Sequence, residues 1–525
     1  MAGSAPVVAT GPKFLKFAIP FLGVLGALQG SAPNVNSTAL VSLTKDLNMA
    51  GGEIALAASI QTIAIAASVI TTGLLADRMG RRNVLMIALL VSVAGNAISG
   101  LAPVSMIYLL GQAITGVGLG AVYGAAFGFI HAVAKPGKLA AALGMFGAVV
   151  GLATMIFTFI GGALVGANWR FGFLALAVFG ALFFFVVPTT LPRIPKLKNA
   201  SLDIPGQVIL AIGIIGFLYG VSQLGSSLTA LTTIGPLLGG AVFLVLFFVV
   251  ETKSKGAFYP VHIFKSPVFI AAILAGFVYN FGTAVAFLQT TNLWQYVTGV
   301  STKDVAFWQI PLIAAGILGA LLTGRRMAKG MSNRTALLIG TLITVLGFIA
   351  LALAAGQKSF WVFLPGLILA GAGLTSVSIP FGNLIIQEAP PAQYGPVTSS
   401  RTTIGQFWYS IGFALATVLI DKMTMGGVVE KLTKAGVQPD MIGTAVTSVN
   451  QYVKTGDDPS TQTGKQALAD AVASYSGAFA TVMIASAVIM LIAGVVGMLL
   501  LARNAARAEA APPPPNVEGA TPTAV

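Results

Sequence analysis

Long apolar runs, broken by short polar segments rich in Lys, Arg, Gly and Pro, repeat along all 525 residues. Fourteen runs stand at about 14–33, 53–76, 83–101, 105–131, 138–166, 171–191, 204–224, 233–251, 267–290, 304–323, 335–355, 360–387, 397–420 and 474–502. A helix needs roughly 20 apolar residues to cross a bilayer core, and each run supplies about that many. Strands of a membrane barrel alternate polar and apolar residues, and these runs do not. The first run has no small-residue cleavage site followed by a soluble domain, so it reads as a retained first helix. The pattern predicts an all-α membrane protein with fourteen transmembrane helices.

The breaks divide the chain. Residues 1–13 form a short N-terminal segment, and 14–191 hold six spans. Residues 192–203 (PRIPKLKNASLD) and 252–266 bracket spans 7 and 8, so 192–266 reads as an inserted helix pair with its loops. Residues 267–502 carry the last six spans and the longest polar segment, 421–473. In that segment VVEKLTKAG and TAVTSVNQYVK have helical pattern, which predicts short amphipathic helices. The tail 503–525, with its APPPPN string, cannot pack a core and reads as disordered.

Composition sharpens the class. The chain is 56% hydrophobic and 8% charged, where a soluble domain carries about 25% charged residues. That excludes a soluble enzyme and a disordered chain. The absence of Cys excludes thiol catalysis, iron–sulfur clusters and thiolate zinc sites. The net charge of +14 raises nucleic acid as a partner, but its placement argues otherwise. With the N-terminus in the cytoplasm, 20 of the 29 Lys and Arg residues fall on inner segments. Five of the remaining nine lie in 421–473. This is the positive-inside bias, and it predicts cytoplasmic termini in a cell inner (plasma) membrane.

Between spans 2 and 3 stands GLLADRMGRR, Gly73 to Arg82. Gly73 permits close helix approach, Asp77 sits at a helix end, Gly80 allows a tight turn, and Arg78, Arg81 and Arg82 face the cytoplasm. This string resembles the signature loop of the major facilitator superfamily. The plan of six, two and six helices with a long outer loop before the last resembles that superfamily's fourteen-helix drug–proton antiporter branch. Further likenesses are GGALVGANWR at the end of span 5, GAGLTSVSIPFGN in span 12 and YGPVTSSRTTIGQFWYSIG in span 13. The string LLTGRRMAKGMSNR is similar to a degenerate second copy of the signature loop, without its acid. The resemblance implies two related helix bundles around a central cavity.

Three of the branch's marks are replaced. The Asp of its first helix aligns with Ala32, the Arg of its fourth helix with Gln112, and the Gly-Pro of its fifth helix with Phe157 and Thr158. These departures weaken the expectation of conventional proton antiport.

Polar groups inside the membrane are the functional candidates, because an unpaired one costs several kcal/mol in hydrocarbon. The spans hold no carboxylate near their centres. The cavity candidates are Gln29, Asn34, Gln61, Gln112, Tyr279, Asn280, Trp308, Phe381, Gln406, Trp408 and Tyr409. Helix–helix hydrogen bonding is the alternative role for each Asn and Gln. Gate or coupling candidates are Glu53 and Asp304 at the outer mouth, Glu388 at the inner end of span 12, and Arg401. Arg401 lies five residues past Pro396, able to snorkel, to pair with Glu388 or Asp77, or to meet an anionic substrate.

No GxxxxGK[ST] string is present, so direct ATP drive is not expected, and two His without Cys make no metal-ligand set. No cofactor is expected. The expected partners are a small-molecule substrate, the lipid bilayer and, as an open addition, protons; the working unit is expected to be a monomer that binds no nucleic acid. The leading reading is an exporter of small amphiphilic or apolar compounds. The alternatives are a carrier of an anionic or lipid-like metabolite and a non-transporting membrane sensor or scaffold.

Overall fold

The computed structural model describes residues 15–49, 52–194, 203–224, 227–254, 256–298, 300, 302–455 and 459–510. The expected N-terminal segment 1–13 and the end of the tail, 511–525, lie outside the described residues. The described chain is helical without strands, and fourteen helices are long and apolar enough to cross a membrane.

Six come first: α1 (Ala18–Asp46), α2 (Gly52–Met79), α3 (Arg81–Gly100), α4 (Ser105–Val133), α5 (Leu139–Ala167) and α6 (Trp169–Thr190). α1 outruns its apolar stretch by continuing through Pro33 to Asp46. A proline is tolerated there because packed neighbours re-satisfy the freed backbone group. Asn36 supplies part of that packing: its amide donates to the Ala57 carbonyl at 2.8 Å and its oxygen accepts from the Tyr108 hydroxyl. Asp46 ends α1 by accepting from Trp169 Nε1 at 3.0 Å and pairing with Arg170 at 3.1 Å, while Arg170 also donates to the Ala102 carbonyl. One polar clasp therefore ties α1, the α3–α4 turn and α6.

The helix pair α7 (Ile204–Gln223) and α8 (Leu231–Lys253) follows. Asp203 caps α7 by accepting from Gly206 N at 3.1 Å, and Pro205 sits in the first turn, where a missing N–H costs nothing. α7 packs on α2 and on the later helix α15 (Tyr394–Lys434), with Phe217 stacked on Phe407 at 5.2 Å.

The rest comprises α9 (Pro267–Ala284), α10 (Thr290–Leu293), α11 (Thr302–Trp308), α12 (Ile310–Ala328), α13 (Asn333–Ala354), α14 (Phe360–Glu388), α15, α16 (Pro439–Thr455) and α17 (Gln462–Ala510). Two π-helical turns, Val285–Gln289 and Trp294–Thr298, join α9 and α10 into one crossing. The apolar run expected at 304–323 is broken at Gln309, because Pro311 in the first turn of α12 cannot donate to a continuous ladder. Gln309 fills the break by aiming Nε2 at the Phe287 carbonyl, 3.0 Å away, and at the hydroxyls of Thr290 and Thr291.

Segment 421–473 is more ordered than its polarity suggests. α15 runs on to Lys434, α17 begins at Gln462, and α16 packs between them. Val428, Leu432, Ile442, Ala445, Val449, Ala467 and Ala471 form a small core of their own there.

Buried apolar residues otherwise gather in two large cores. One is built from α1 to α6, joined by Ala320, Ile379 and Ile386 from across the seam. The other is built from the helices of the second half except α16, joined by one face of α2 and of α7. α2 lies against α15 and α5 against α12, so each half lends one helix pair to the seam.

Candidate functional site

The signature turn closes one end of that seam. Gly80 takes φ of 92°, a left-handed backbone that a side chain disfavours, and so turns the chain from α2 into α3. The turn aims Asp77 and Arg81 at each other, 2.5 Å apart, with Asp77 buried. The second Asp77 oxygen accepts from the Gly395 backbone N–H at 2.5 Å. Gly395 stands in the first turn of α15, where unpaired N–H groups and the helix dipole favour an anion. One carboxylate thus bridges an arginine of its own half and a helix start of the other.

The helices can approach this closely because Gly73 faces α15. A Cβ on Gly73 would meet the Ser399 hydroxyl and stand 2.5 Å from the Gly395 carbonyl oxygen. Arg81 lies over the Tyr394 ring at 4.9 Å and fills the space left by Gly128. Arg78 and Arg82 are partly exposed at the turn. The α5–α12 pair closes in the same manner, Gly144 against Gly324: a Cβ on Gly324 would fall 2.7 Å from the Ala140 carbonyl and 2.9 Å from the Gly144 Cα.

Deeper along the seam stands Arg401. It lies seven residues into α15, about 10 Å from the helix start at 1.5 Å per residue. Its guanidinium carbon is 4.8 Å from the centroids of both Phe127 on α4 and Phe381 on α14. Nη1 donates to the Tyr123 hydroxyl at 2.7 Å, and Nε is buried without a partner. Neither Glu388 nor Asp77 pairs with it: Asp77 is taken up by Arg81, and Glu388 makes no ion pair among the described residues. Next along the seam, Asn280 on α9 would sit 3.0 Å from a Cβ on Gly405 of α15. Gln406, Tyr409 and Tyr279 are part-buried beside it on the same two helices, and Trp408 meets Phe277 edge-on at 4.9 Å.

Other candidates are dispersed. Asn34 donates to the Thr158 hydroxyl at 3.3 Å, joining α1 to α5, and Gln29 is partly exposed on α1. Gln112 faces α3, donating to the Ser99 hydroxyl at 2.9 Å. Gln61 is 1% exposed beside Gly116 of α4, and neither of its side-chain polar atoms has a partner. Trp308 joins Trp294 and Phe360 in an aromatic cluster within the second half. Glu53, in the first turn of α2, and Asp304, in α11, are exposed at the end of the seam opposite Asp77. Sequence reasoning passed over Asp46, Tyr123, Phe127 and Gln309. The Trp169–Arg170 pair was a signal for Asp46, since an arginine at a helix start seeks an acid. Nothing local marked Tyr123 and Phe127, whose partner Arg401 is 278 residues from Tyr123.

Residues 22–413 match the sequence profile of the Major Facilitator Superfamily. The chain belongs to the major facilitator superfamily. It is therefore a multi-pass membrane transporter of small molecules and not an enzyme. "Multidrug resistance protein 3" of Bacillus subtilis is 24% identical over 399 residues, covering 75% of this chain and 77% of that one. "Multidrug transporter protein MdtP" of the same organism is 26% identical over 344 residues, 65% of this chain and 62% of that one, so the chain spans less than two thirds of that relative. Among solved structures, the proton:xylose symporter XylE superposes with a TM-score of 0.57 at 14% identity, covering 91% of this chain and 95% of that one. That likeness is one of fold.

Proposed function

We propose that this transporter exports small amphiphilic or apolar compounds by alternating access. The observation that carries the reading is the one-sided seam. The Asp77–Gly395 bridge and the Gly73 and Gly144–Gly324 contacts cluster at one end, where glycines let helices of the two halves touch. Glu53 and Asp304 stand exposed at the other end. The distribution of Lys and Arg supports a cytoplasmic place for the closed end and both termini, which would make this the outward-facing state. The two six-helix units, 14–191 and 267–502, would rock about the seam, with the inserted pair 192–266 riding on α2 and α15. The names of the Bacillus relatives support drug-like substrates.

The test is accumulation of rhodamine 6G, Nile red and pyrenebutyrate in inverted membrane vesicles containing the protein, with and without an imposed pH gradient. Protein-dependent accumulation of at least one amphiphile is expected. Accumulation of none would refute the export reading. Indifference to the gradient would remove proton antiport alone. A second reading, a carrier of anionic amphiphiles, is favoured by Arg401, which forms no ion pair among the described residues.

A further inference from the structure

We propose that Arg401 is an anion-recognition site at the inner floor of the seam, and that the favoured ligand is an aromatic or apolar molecule carrying a carboxylate or sulfonate. The inference rests on the transport reading only for what happens after binding; the site itself stands on the geometry of α4, α14 and α15.

A guanidinium held inside the bilayer region without an anion is costly, and natural chains place such groups where a partner arrives. The four ion pairs among the described residues are Arg81–Asp77, Arg170–Asp46, Lys431–Asp470 and Lys434–Glu430. Arg401 has none. It is instead gripped between Phe127 and Phe381, each 4.8 Å from its guanidinium carbon. Two aromatic rings this close displace water from the group without accepting from its N–H donors. Nη1 is the only one of its three nitrogens with a partner, the Tyr123 hydroxyl at 2.7 Å. Gly382 keeps the Nε edge clear, since a Cβ there would crowd it at 3.4 Å. The residue stays partly exposed although Nε is buried, so an anion would approach the fork from the Nη2 side. A planar, desolvated fork with unspent donors is the arrangement that takes a carboxylate or sulfonate through two parallel hydrogen bonds. A permanent cation finds no matching group, because Asp77 is already doubly engaged.

The apolar body of the ligand would meet aromatic side chains beside the fork that are buried in this state. Phe127, Tyr123 and Phe146 form one aromatic wall on α4 and α5. Tyr279, part-buried on α9, stands next to Asn280, which faces Gly405 of α15 one turn beyond Arg401. The wall belongs to one half of the molecule, whereas Arg401 and Tyr279 belong to the other. A ligand seated here therefore touches both halves next to the closed end.

The experiment measures binding of three probes with one body and three charges: 1-pyrenebutyrate, 1-pyrenebutanol and 1-pyrenebutyl-trimethylammonium. Full-length protein is placed in nanodiscs of zwitterionic lipid, and Kd is read by fluorescence. The parent protein is expected to bind the butyrate at least about tenfold more tightly than the alcohol, the ratio that even one charge-assisted hydrogen bond provides. Arg401→Gln should abolish the ratio while leaving the alcohol's Kd within about twofold, and Arg401→Lys should keep part of it. A parent that does not prefer the butyrate overturns the proposal whether or not the variants fold. So does an Arg401→Gln protein that keeps the preference. Repeating the titration with a tenth of the lipid as phosphatidylglycerol separates sources. Competition identifies a lipid headgroup as the native anion, and its absence identifies a free amphiphile; either outcome supports the anion site. Transport is scored apart in the vesicle assay. Binding with charge preference but no accumulation leaves this site standing and removes the export reading; accumulation of the alcohol without charge preference does the reverse.

Discussion

Asp77 receives donors from both halves of the molecule, Arg81 Nη2 and the Gly395 amide, while almost wholly buried. A hydrogen bond to a buried charge is worth about 1.5–3 kcal/mol, and this one exists only while the end of the seam is shut. Asp77→Asn keeps the shape and removes the charge. It is expected to slow transport roughly tenfold or more while substrate Kd changes by less than about twofold, since no ligand contact is lost. Transport at the parent rate by a well-expressed Asp77→Asn protein would show that the bridge does not bias the cycle. Gln61 presents the opposite situation, a buried amide with nothing to bond. An unsatisfied buried polar group costs about 1–3 kcal/mol, so Gln61→Leu should raise the melting temperature in detergent. A lower value would mean that the amide finds a partner in the membrane. Residues of this kind are half legible in sequence: a Gln in an apolar run is visible, but whether it meets a hydroxyl, as Gln112 does, or nothing depends on the facing helix.

At the scale of helices, the number of spans is legible because bilayer thickness sets the length of each apolar run. Their ends are less so. α15 and α17 continue past their apolar runs because Val428, Leu432, Ala467 and Ala471 find one another and α16 outside the membrane, a contact no local pattern encodes. The break at Gln309 depends on a proline and on the distant π-helical turns it serves. The helix pairs of the seam are governed by glycine. Gly324→Val places atoms where Ala140 and Gly144 already stand, so α12 must part from α5 at the closed end. The parent has no Cys, and Thr398, on α15, is 1% exposed near Gly128. A Thr398→Cys reporter should react with a membrane-impermeant maleimide about tenfold faster when Gly324→Val is added, reflecting a shift of about 1.4 kcal/mol toward the open form. Equal labelling rates in the two backgrounds would show that this glycine contact does not hold the end shut.

Across the whole molecule, the absence of central carboxylates in the sequence constrains any proton-coupled cycle. Ala32 and Gln112 stand where the fourteen-helix branch carries charge, and the structure adds no buried acid beside them: Gln112 bonds Ser99, and Ala32 is buried in the first core. Glu53 and Asp304 are exposed in this structure, and closure of the far end, if it occurs, would cover them. If protons couple through them, Glu53→Gln with Asp304→Asn abolishes gradient-driven accumulation in the vesicle assay while downhill exchange of the same compound persists. Retention of gradient drive by the double variant would place coupling elsewhere. The positive-inside distribution predicts which face carries the Asp77 turn, and protease or maleimide access at Arg78→Cys from the cytoplasmic side would check it.

The ordered hairpin beyond the membrane has a mechanical consequence. Residues 421–434 of α15 carry that helix about 20 Å past the apolar span, so its tip stands roughly 35 Å from the bilayer midplane. Its helices α15 and α17 grow from the second core, and the apolar core they share with α16 stiffens the arm. A rigid arm of that length turns angle into distance. Rocking of the second half by about 15° would sweep the tip roughly 9 Å across the membrane surface, about twice the motion at the glycine contacts of the closed end. Spin labels on the arm and on the opposite end of α2 would read that sweep directly. An antibody fragment gripping the arm would act as a brake on the cycle without touching the seam.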